Sequence, residues 1–256
     1  MPIIWRFVDG KAGHERQTAG FIDALERVLT CEVHEFDARH INIFSAYLTG
    51  KIPGAPDRKP DLIIGAGSAS QAALLVSKKA YGGKTIYFMC PKYPASWFDL
   101  CIIPRHDAPP PRDNILISEG VLNDCRPADT KDDTLGVILV GGPSRHHAWD
   151  SGHMVSQIEA IVHHASLQTS GLHYEISTSR RTPSDTVEAL RHLKNADHLT
   201  PDDTGPGWLP EVLGRAANVW VSADSVSMMY EALSSGACLG VLNTPVKRDD
   251  RITKVA

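Results

Sequence analysis

Cysteine is sparse in this chain, and the little there is follows no pattern. Cys31, Cys90, Cys101, Cys125 and Cys238 are odd in number, widely spaced and include no C-x-x-C. That argues against a disulfide framework and a cysteine-based zinc site, and fits a reducing, cytoplasmic setting. Long apolar runs are missing as well: none approaches the ~18–20 residues needed to span a bilayer. The amino-terminal MPIIWRFVDGKAG has neither the basic region nor the apolar stretch of a secretory signal. Positive charge is not in excess, since 26 basic residues face 30 acidic ones. Nucleic acid is therefore not expected as a partner. The chain has no short-period repeat, no low-complexity tract and no phosphate-binding P-loop, which would need G-x-x-x-x-G-K-[ST].

What is present is ordinary globular material: 256 residues, 42 % apolar and 22 % charged, enough for one large core or two smaller ones. Short apolar runs alternate with longer helical segments, the signature of βαβ units and a parallel sheet. In the first half the pattern predicts strands over Ile3–Val8, Cys31–Phe36, Leu62–Ile64, Thr85–Met89 and Leu100–Ile103. Helices are predicted over Glu15–Leu29, Ile41–Leu48 and Ser68–Ala80. Between Asp107 and Asp133 the runs APPPRDN and RPADTKDD predict loop and linker. The alternation then restarts, with strands over Gly136–Val140, His173–Thr178, Val219–Ser222 and Cys238–Leu242. Helices over Met154–His164, Thr186–Leu193, Leu209–Arg215 and Val226–Ser234 lie between them. The expected fold class is α/β, in two halves, 1–125 and 126–256. Within INIFSAYLTGK, residues Ile41, Phe44, Tyr47 and Leu48 share one helical face, which is read as core-facing.

Ligands of parallel α/β sheets bind beyond the carboxyl ends of the strands, so the strand-to-helix loops come next. DGKAGHERQ follows the first strand. Gly10 and Gly13 permit a tight turn, Lys11 adds a cation, and His14 exchanges protons near neutral pH. A plain βα turn would explain the same residues. GAGSAS (65–70) resembles part of a dinucleotide fingerprint, but Ser70 replaces the third glycine and no acid closes the next strand, KTIYFMCPK. In GGPSRHHAWD, the main chain at Gly141, Gly142 and Ser144 offers amides to an anion, with Arg145 adjacent. Adjacent His146 and His147 point apart on one element and lack further ligands, so a solvated or ligand-rim role is expected and no metal. In STSRRTPSD, Arg180 and Arg181 offer a bidentate grip on phosphate, unless carboxylates on the same surface answer them. In ADSVSMMYEALSSG, one of Asp224, Ser225 and Ser227 is expected to cap the helix, and an Asp there repels phosphate. Glu231 lies four residues after Ser227 on the same face. Buried, it suits a ribose diol; solvated, it carries no meaning.

Taken together, DGKAGHERQ (9–17), CIIPRHD (101–107), VILVGGPS (137–144), STSRRTP (177–183) and SADSVSMMYEAL (222–233) form a known series. It resembles the two-Rossmann, or GT-B, glycosyltransferases, and more closely the mitochondrial-fission-factor-like family of bacteria and plants. The resemblance implies two Rossmann-like parallel-sheet domains facing across a cleft, 1–125 on the acceptor side and 126–256 on the nucleotide-sugar side. It implies metal-independent transfer of a sugar, without a cofactor, from a nucleotide-sugar donor to a hydroxyl of a glycan or lipid-linked acceptor. Gly141, Gly142, Ser144, Arg180 and Arg181 would lie near the diphosphate, with Ser225 and Ser227 adding donors and Glu231 holding the ribose. His14, or in its place Asp9, would be the general base, and Gly10, Lys11, Gly13, Arg105 and His106 would line the cleft. The resemblance also implies, as an alternative to the core-facing reading of Ile41–Lys51, peripheral contact with the inner face of a membrane. There are two departures from the pattern. TGPGWLPEVL (204–213) stands where an NPY-like loop is expected, and the sequence ends at NTPVKRDDRITKVA, where such transferases continue with helices that return to the first domain. A non-catalytic binding or scaffolding protein and a nucleotide-sugar epimerase are the alternatives. No role is assigned to the DD pairs at 132–133, 202–203 and 249–250, and the sequence does not give the oligomeric state.

Overall fold

The computed structural model describes residues 1–168 (backbone alone for 165–168), 171–205, 207–248 and 253. The chain divides into two compact units, Met1–Asp124 and Cys125–Ala256. Unit 1 holds strands β1 (Ile3–Val8), β2 (Glu32–Asp37), β3 (Leu62–Ala66), β4 (Lys84–Phe88), β5 (Leu100–Pro104) and β6 (Ile115–Ser118). Its helices are α1 (Ala12–Glu26), α2 (Ile43–Thr49) and α3 (Ser70–Tyr81). The strands are all parallel and run in the order β2-β1-β3-β4-β5-β6. The sequence of β1 explains its interior position. Ile3, Trp5 and Phe7 enter one core with Ile63, Leu74 and Phe98, while Ile4 enters the other with Ile64 and Phe88. A strand covered on both faces needs apolar residues at both parities, which is the pattern of parallel sheets.

Unit 2 repeats the logic with β7 (Asp132–Val140), β8 (His173–Thr178), β9 (Ala196–Leu199), β10 (Ala216–Ser222) and β11 (Cys238–Leu242). Its helices are α4 (Ser151–Gln168), α5 (Ser184–Arg191), α6 (Trp208–Arg215) and α7 (Val226–Ser234). The strand order is β11-β10-β7-β8-β9, again parallel throughout. In β7, Val137 and Leu139 pack with Val219 and Met229, whereas Ile138 and Val140 pack with Met154 and Ile176. In each sheet the strand order reverses beside the unit's first strand, between β1 and β3 and between β7 and β10. Loops diverge at such a switch point and leave a crevice outside the carboxyl ends of the strands.

The α/β class and the parallel sheets are those expected. Three local expectations are corrected. The stretch 107–133 is not all linker, because Ile115–Ser118 forms β6, its apolar residues pairing with β5 between the proline-rich and charged runs. Ala196–Leu199 forms β9 although ADHL carries too little apolar character to signal a strand. The apolar face of α2 is not core-facing either: Ala46 makes the buried contact, and Phe44, Tyr47 and Leu48 are exposed. A seven-residue helix lying against α3 through a small residue leaves the remainder of its circumference outside. Among the described residues no helix is long and apolar enough to cross a membrane.

Candidate functional site

The switch point of unit 1 is built around a buried acid. Strand β1 delivers Asp9 to its carboxyl end, and α1 begins three residues later, so His14 stands in the first helical turn. Oδ2 of Asp9 lies 2.8 Å from Nδ1 of His14, and Oδ1 accepts from the Lys11 N–H at 3.2 Å. A carboxylate at Nδ1 holds the ring proton there and leaves Nε2 as the basic nitrogen. The Asp9 side chain is 2 % exposed and that of His14 is 19 % exposed, so the acid is shielded while the ring still meets solvent. Gly67, on the loop after β3, has φ +82°, and a Cβ there would lie 2.2 Å from Nδ1 of His14. Any larger residue would push the ring off the acid.

The other unit 1 candidates have local settings of their own. The Gly10 N–H donates to Oε1 of Glu15 at 2.9 Å, and the Gly13 carbonyl accepts from the Gln17 side chain within α1. Lys11 is the exposed residue that opens α1. Arg39 binds Asp37 on the neighbouring loop, Nη2 to Oδ2 at 2.6 Å, and those hydrogen bonds hold the Asp37 carboxyl well below the usual carboxylate range. Arg105 and His106 form a short 3-10 turn after β5, and Arg105 is engaged by Glu119, Nε to Oε2 at 2.9 Å. Being exposed on both sides, that pair contributes little to stability.

The switch point of unit 2 is also built on an acid, Asp224, whose side chain is fully buried. It accepts from the Gly142 N–H at 3.1 Å, from the Ser222 hydroxyl at 2.7 Å and from Nη2 of Arg181 at 2.8 Å. Oγ of Ser222 in turn accepts from the Gly141 N–H at 2.8 Å. Nη1 of Arg181 donates to the Gly142 carbonyl at 2.9 Å, and Oγ of Ser179 donates to the Gly141 carbonyl at 3.0 Å. The loops after β7, β8 and β10 are thereby tied together. The amides of Gly141 and Gly142, expected to face an anion, are already committed within the chain. Arg181 is answered by Asp224, whereas Arg180 is exposed and among the described residues has no carboxylate partner.

The cap expected from Asp224, Ser225 or Ser227 is not made: Ser225 occupies the N-cap position, and its side chain makes no cap hydrogen bond. Asp224 turns to Gly142 and Arg181 instead, so among the described residues it is not a carboxylate cap that answers the positive end of α7. Glu231 is buried in α7 between the core residues Met229 and Ala232. Ser144 closes its own loop, its hydroxyl accepting from the N–H groups of His146 and His147 at 3.2 and 3.0 Å. The solvated or ligand-rim role expected of the histidine pair is corrected for His147, which is buried and bridges Val246. Among the described residues no three His, Cys, Asp or Glu side chains gather where a metal ion would sit. Asp249 and Asp250 lie outside the described residues.

Sequence reasoning missed Ser222 and Gly67, and took Asp224 only as a cap. The missed signal was positional: each lies at, or just beyond, the carboxyl end of a strand flanking a switch point.

Solved structures with this fold share little sequence with the chain. A family 9 glycosyl transferase from Veillonella parvula is 12 % identical with a TM-score of 0.55, over 95 % of this chain and 82 % of that one. The UDP-GlcNAc 2-epimerase of Neisseria meningitidis, bound to UDP-GlcNAc, is 11 % identical with a TM-score of 0.51, over 100 % and 85 %. S. aureus MnaA with UDP is 14 % identical with a TM-score of 0.51, over 94 % and 79 %. These likenesses establish a GT-B type of fold and no activity. No match was found among curated proteins. The family model of mitochondrial fission ELM1 proteins matches residues 12–256, nearly the whole chain. By that match, this chain belongs to the mitochondrial fission ELM1 family.

Proposed function

We propose that the chain is a glycosyltransferase that moves a sugar from a nucleotide-sugar donor to a hydroxyl acceptor by direct displacement. The observation that carries this reading is the pairing of the buried Asp9 with His14 at 2.8 Å, at the carboxyl end of β1. A histidine whose Nδ1 is held by a shielded carboxylate is a general base with its orientation already fixed. In this reading Nε2 of His14 takes the acceptor's hydroxyl proton as the oxygen attacks the anomeric carbon. The bond from that carbon to the diphosphate breaks, and the nucleoside diphosphate leaves with the bonding electrons. Asp9 positions the ring and steadies the imidazolium; it is not the base.

Unit 2 supplies the nucleotide side of the reading. Arg180 and the first-turn amides of α7, with Ser225 and Ser227 beside them, meet the growing charge on the diphosphate, which makes transfer metal-independent. Glu231 accepts from the ribose hydroxyls. Gly141 and Gly142 shape the loop and do not donate to phosphate, because their amides are engaged internally, whereas the Ser144 hydroxyl accepts from His146 and His147 and keeps its own hydrogen to donate. The acceptor is of the glycan or lipid-linked class, and peripheral contact with a membrane belongs to the same reading.

That internal engagement favours one rival. A protein whose phosphate-facing amides are already satisfied also suits binding or scaffolding without turnover. A panel of nucleotide sugars, UDP-GlcNAc first, separates the readings. Transfer or slow hydrolysis by the wild type, abolished in His14→Ala with donor binding retained, supports the enzyme. Donor binding without consumption of any donor supports the scaffold, and interconversion of the sugar without an acceptor points to an epimerase.

A further inference from the structure

An arginine at position 6 breaks the pattern of β1. The strand lies inside a covered sheet, and Ile4, Arg6 and Val8 share the parity of one face. Helix α1 covers that face, since Ile4 packs with Ile22. Arg6 stands there with a side chain 17 % exposed. Withdrawing a guanidinium from water is costly, so a cation in this place needs good partners.

It has one at every nitrogen. Nε donates to Oγ1 of Thr18 at 2.8 Å, Nη2 to the Glu15 carbonyl at 2.8 Å and Nη1 to Oε2 of Glu35 at 2.9 Å. Thr18 is 1 % exposed, and its hydroxyl donates to the same Glu15 carbonyl at 2.9 Å. Two of the three partners therefore lie in the first two turns of α1. The third, Glu35, has a side chain 55 % exposed on β2 and adds little. Glu15 is held at its other end as well, where Oε1 accepts from the Gly10 N–H at 2.9 Å. Gly10 follows Asp9, and Glu15 follows His14. The links from Arg6 to Glu15 and from Glu15 to Gly10 thus fix both neighbours of the 2.8 Å pair and touch neither member of it.

We infer that Arg6, with Thr18, is a positioning residue for His14: its grip on Glu15 sets α1 on β1 so that Nδ1 of the ring meets Asp9. A guanidinium carries donors in a rigid fork, which can fix both the rotation and the register of a helix on a strand; an ammonium is a point charge and cannot. The consequence for turnover rests on the reading of His14 as general base. The state of the ring does not, because it is measured without donor or acceptor.

The test is nitrogen-15 NMR of the His14 ring in the full chain, its signals assigned by their loss in His14→Ala. The neutral ring of the wild type should carry its proton at Nδ1. Arg6→Met removes the fork and keeps an unbranched side chain beneath α1, and the Thr18 hydroxyl still serves the Glu15 carbonyl, so the variant should fold. Its ring should pass to a mixture of tautomers, and kcat should fall about tenfold or more with nucleotide-sugar affinity unchanged. Thr18→Val, which removes one partner, should move the same way by less. Arg6→Lys returns the charge without the fork and should recover only part of the loss. The inference is overturned by a wild-type ring protonated at Nε2, by a wild-type tautomer in every variant that folds, or by full recovery in Arg6→Lys. A tautomer shift in a chain that consumes no sugar donor keeps the inference and ends the transferase reading. Turnover lost in His14→Ala but untouched in folded Arg6→Met and Thr18→Val does the reverse.

Discussion

Two buried aspartates stand at the two switch points and do different work. Asp9 meets one titratable ring and leaves that ring in contact with solvent. Asp224 meets an amide, a hydroxyl and a guanidinium, and its negative charge is used up inside the protein. Even the glycines beside them differ in purpose. Gly67 clears room for the His14 ring as well as the Asp9 carboxylate, whereas the atoms nearest a Cβ at Gly141 would all belong to the Asp224 carboxylate, with Oδ2 at 2.3 Å. The same residue type at the same topological position thus becomes a positioning group in one unit and a cross-link in the other. The partner decides which: a histidine remains able to exchange a proton, and an arginine does not.

The comparison breaks most visibly if the two acids are removed. His14→Ala should lower turnover by about 10²- to 10⁴-fold, with Asp9→Asn close behind because an amide no longer holds the tautomer. Stability should change little in either variant, as chemical unfolding would show. Asp224→Ala should show the opposite balance. It strands the Gly142 N–H and the Arg181 guanidinium, for about 1–3 kcal/mol, limited by the solvent that screens the half-exposed arginine. A shifted urea midpoint reports that loss; equal losses from Asp9→Asn and Asp224→Ala would erase the distinction.

Gly67→Ala sharpens the unit 1 side. Left-handed backbone costs a residue with a Cβ about 1–2 kcal/mol, and the added methyl displaces His14, so turnover should fall further than stability. The smallest effect concerns pH. Burial alone would raise the Asp99 carboxyl, but hydrogen bonds from Lys78, Thr85 and Lys84 outweigh it and hold the group well below the usual range. A depressed folded pKa contributes stability above the unfolded value near ~4, and that stability is lost as pH falls toward the folded one. The acid limb of stability against pH should therefore be shallower in Asp99→Asn than in the wild type.

Much of the architecture was legible because strand signals are local. IIWRFV and VILV are apolar at both parities, and that alone places β1 and β7 inside covered sheets. His14 and Arg180 were legible as unusual groups at strand-to-helix junctions, and Glu231 as a lone acid inside a helix. What was not legible depends on distant partners. Asp224 reads as a cap until Gly142 and Arg181 are seen beside it, 82 and 43 residues away. Gly67 reads as a failed dinucleotide turn until the His14 ring is found against it. The stripe of α2 reads as core because periodicity reports that a face exists, not which side of the helix the neighbouring α3 covers.

The most direct test of the account is calorimetric titration of nucleoside diphosphates into the wild type, Arg180→Ala and His14→Ala. One nucleotide should bind the wild type, bind Arg180→Ala about tenfold or more weakly, and bind His14→Ala unchanged. Failure of every nucleotide to bind, or equal weakening in His14→Ala, would contradict the division of work between the two switch points.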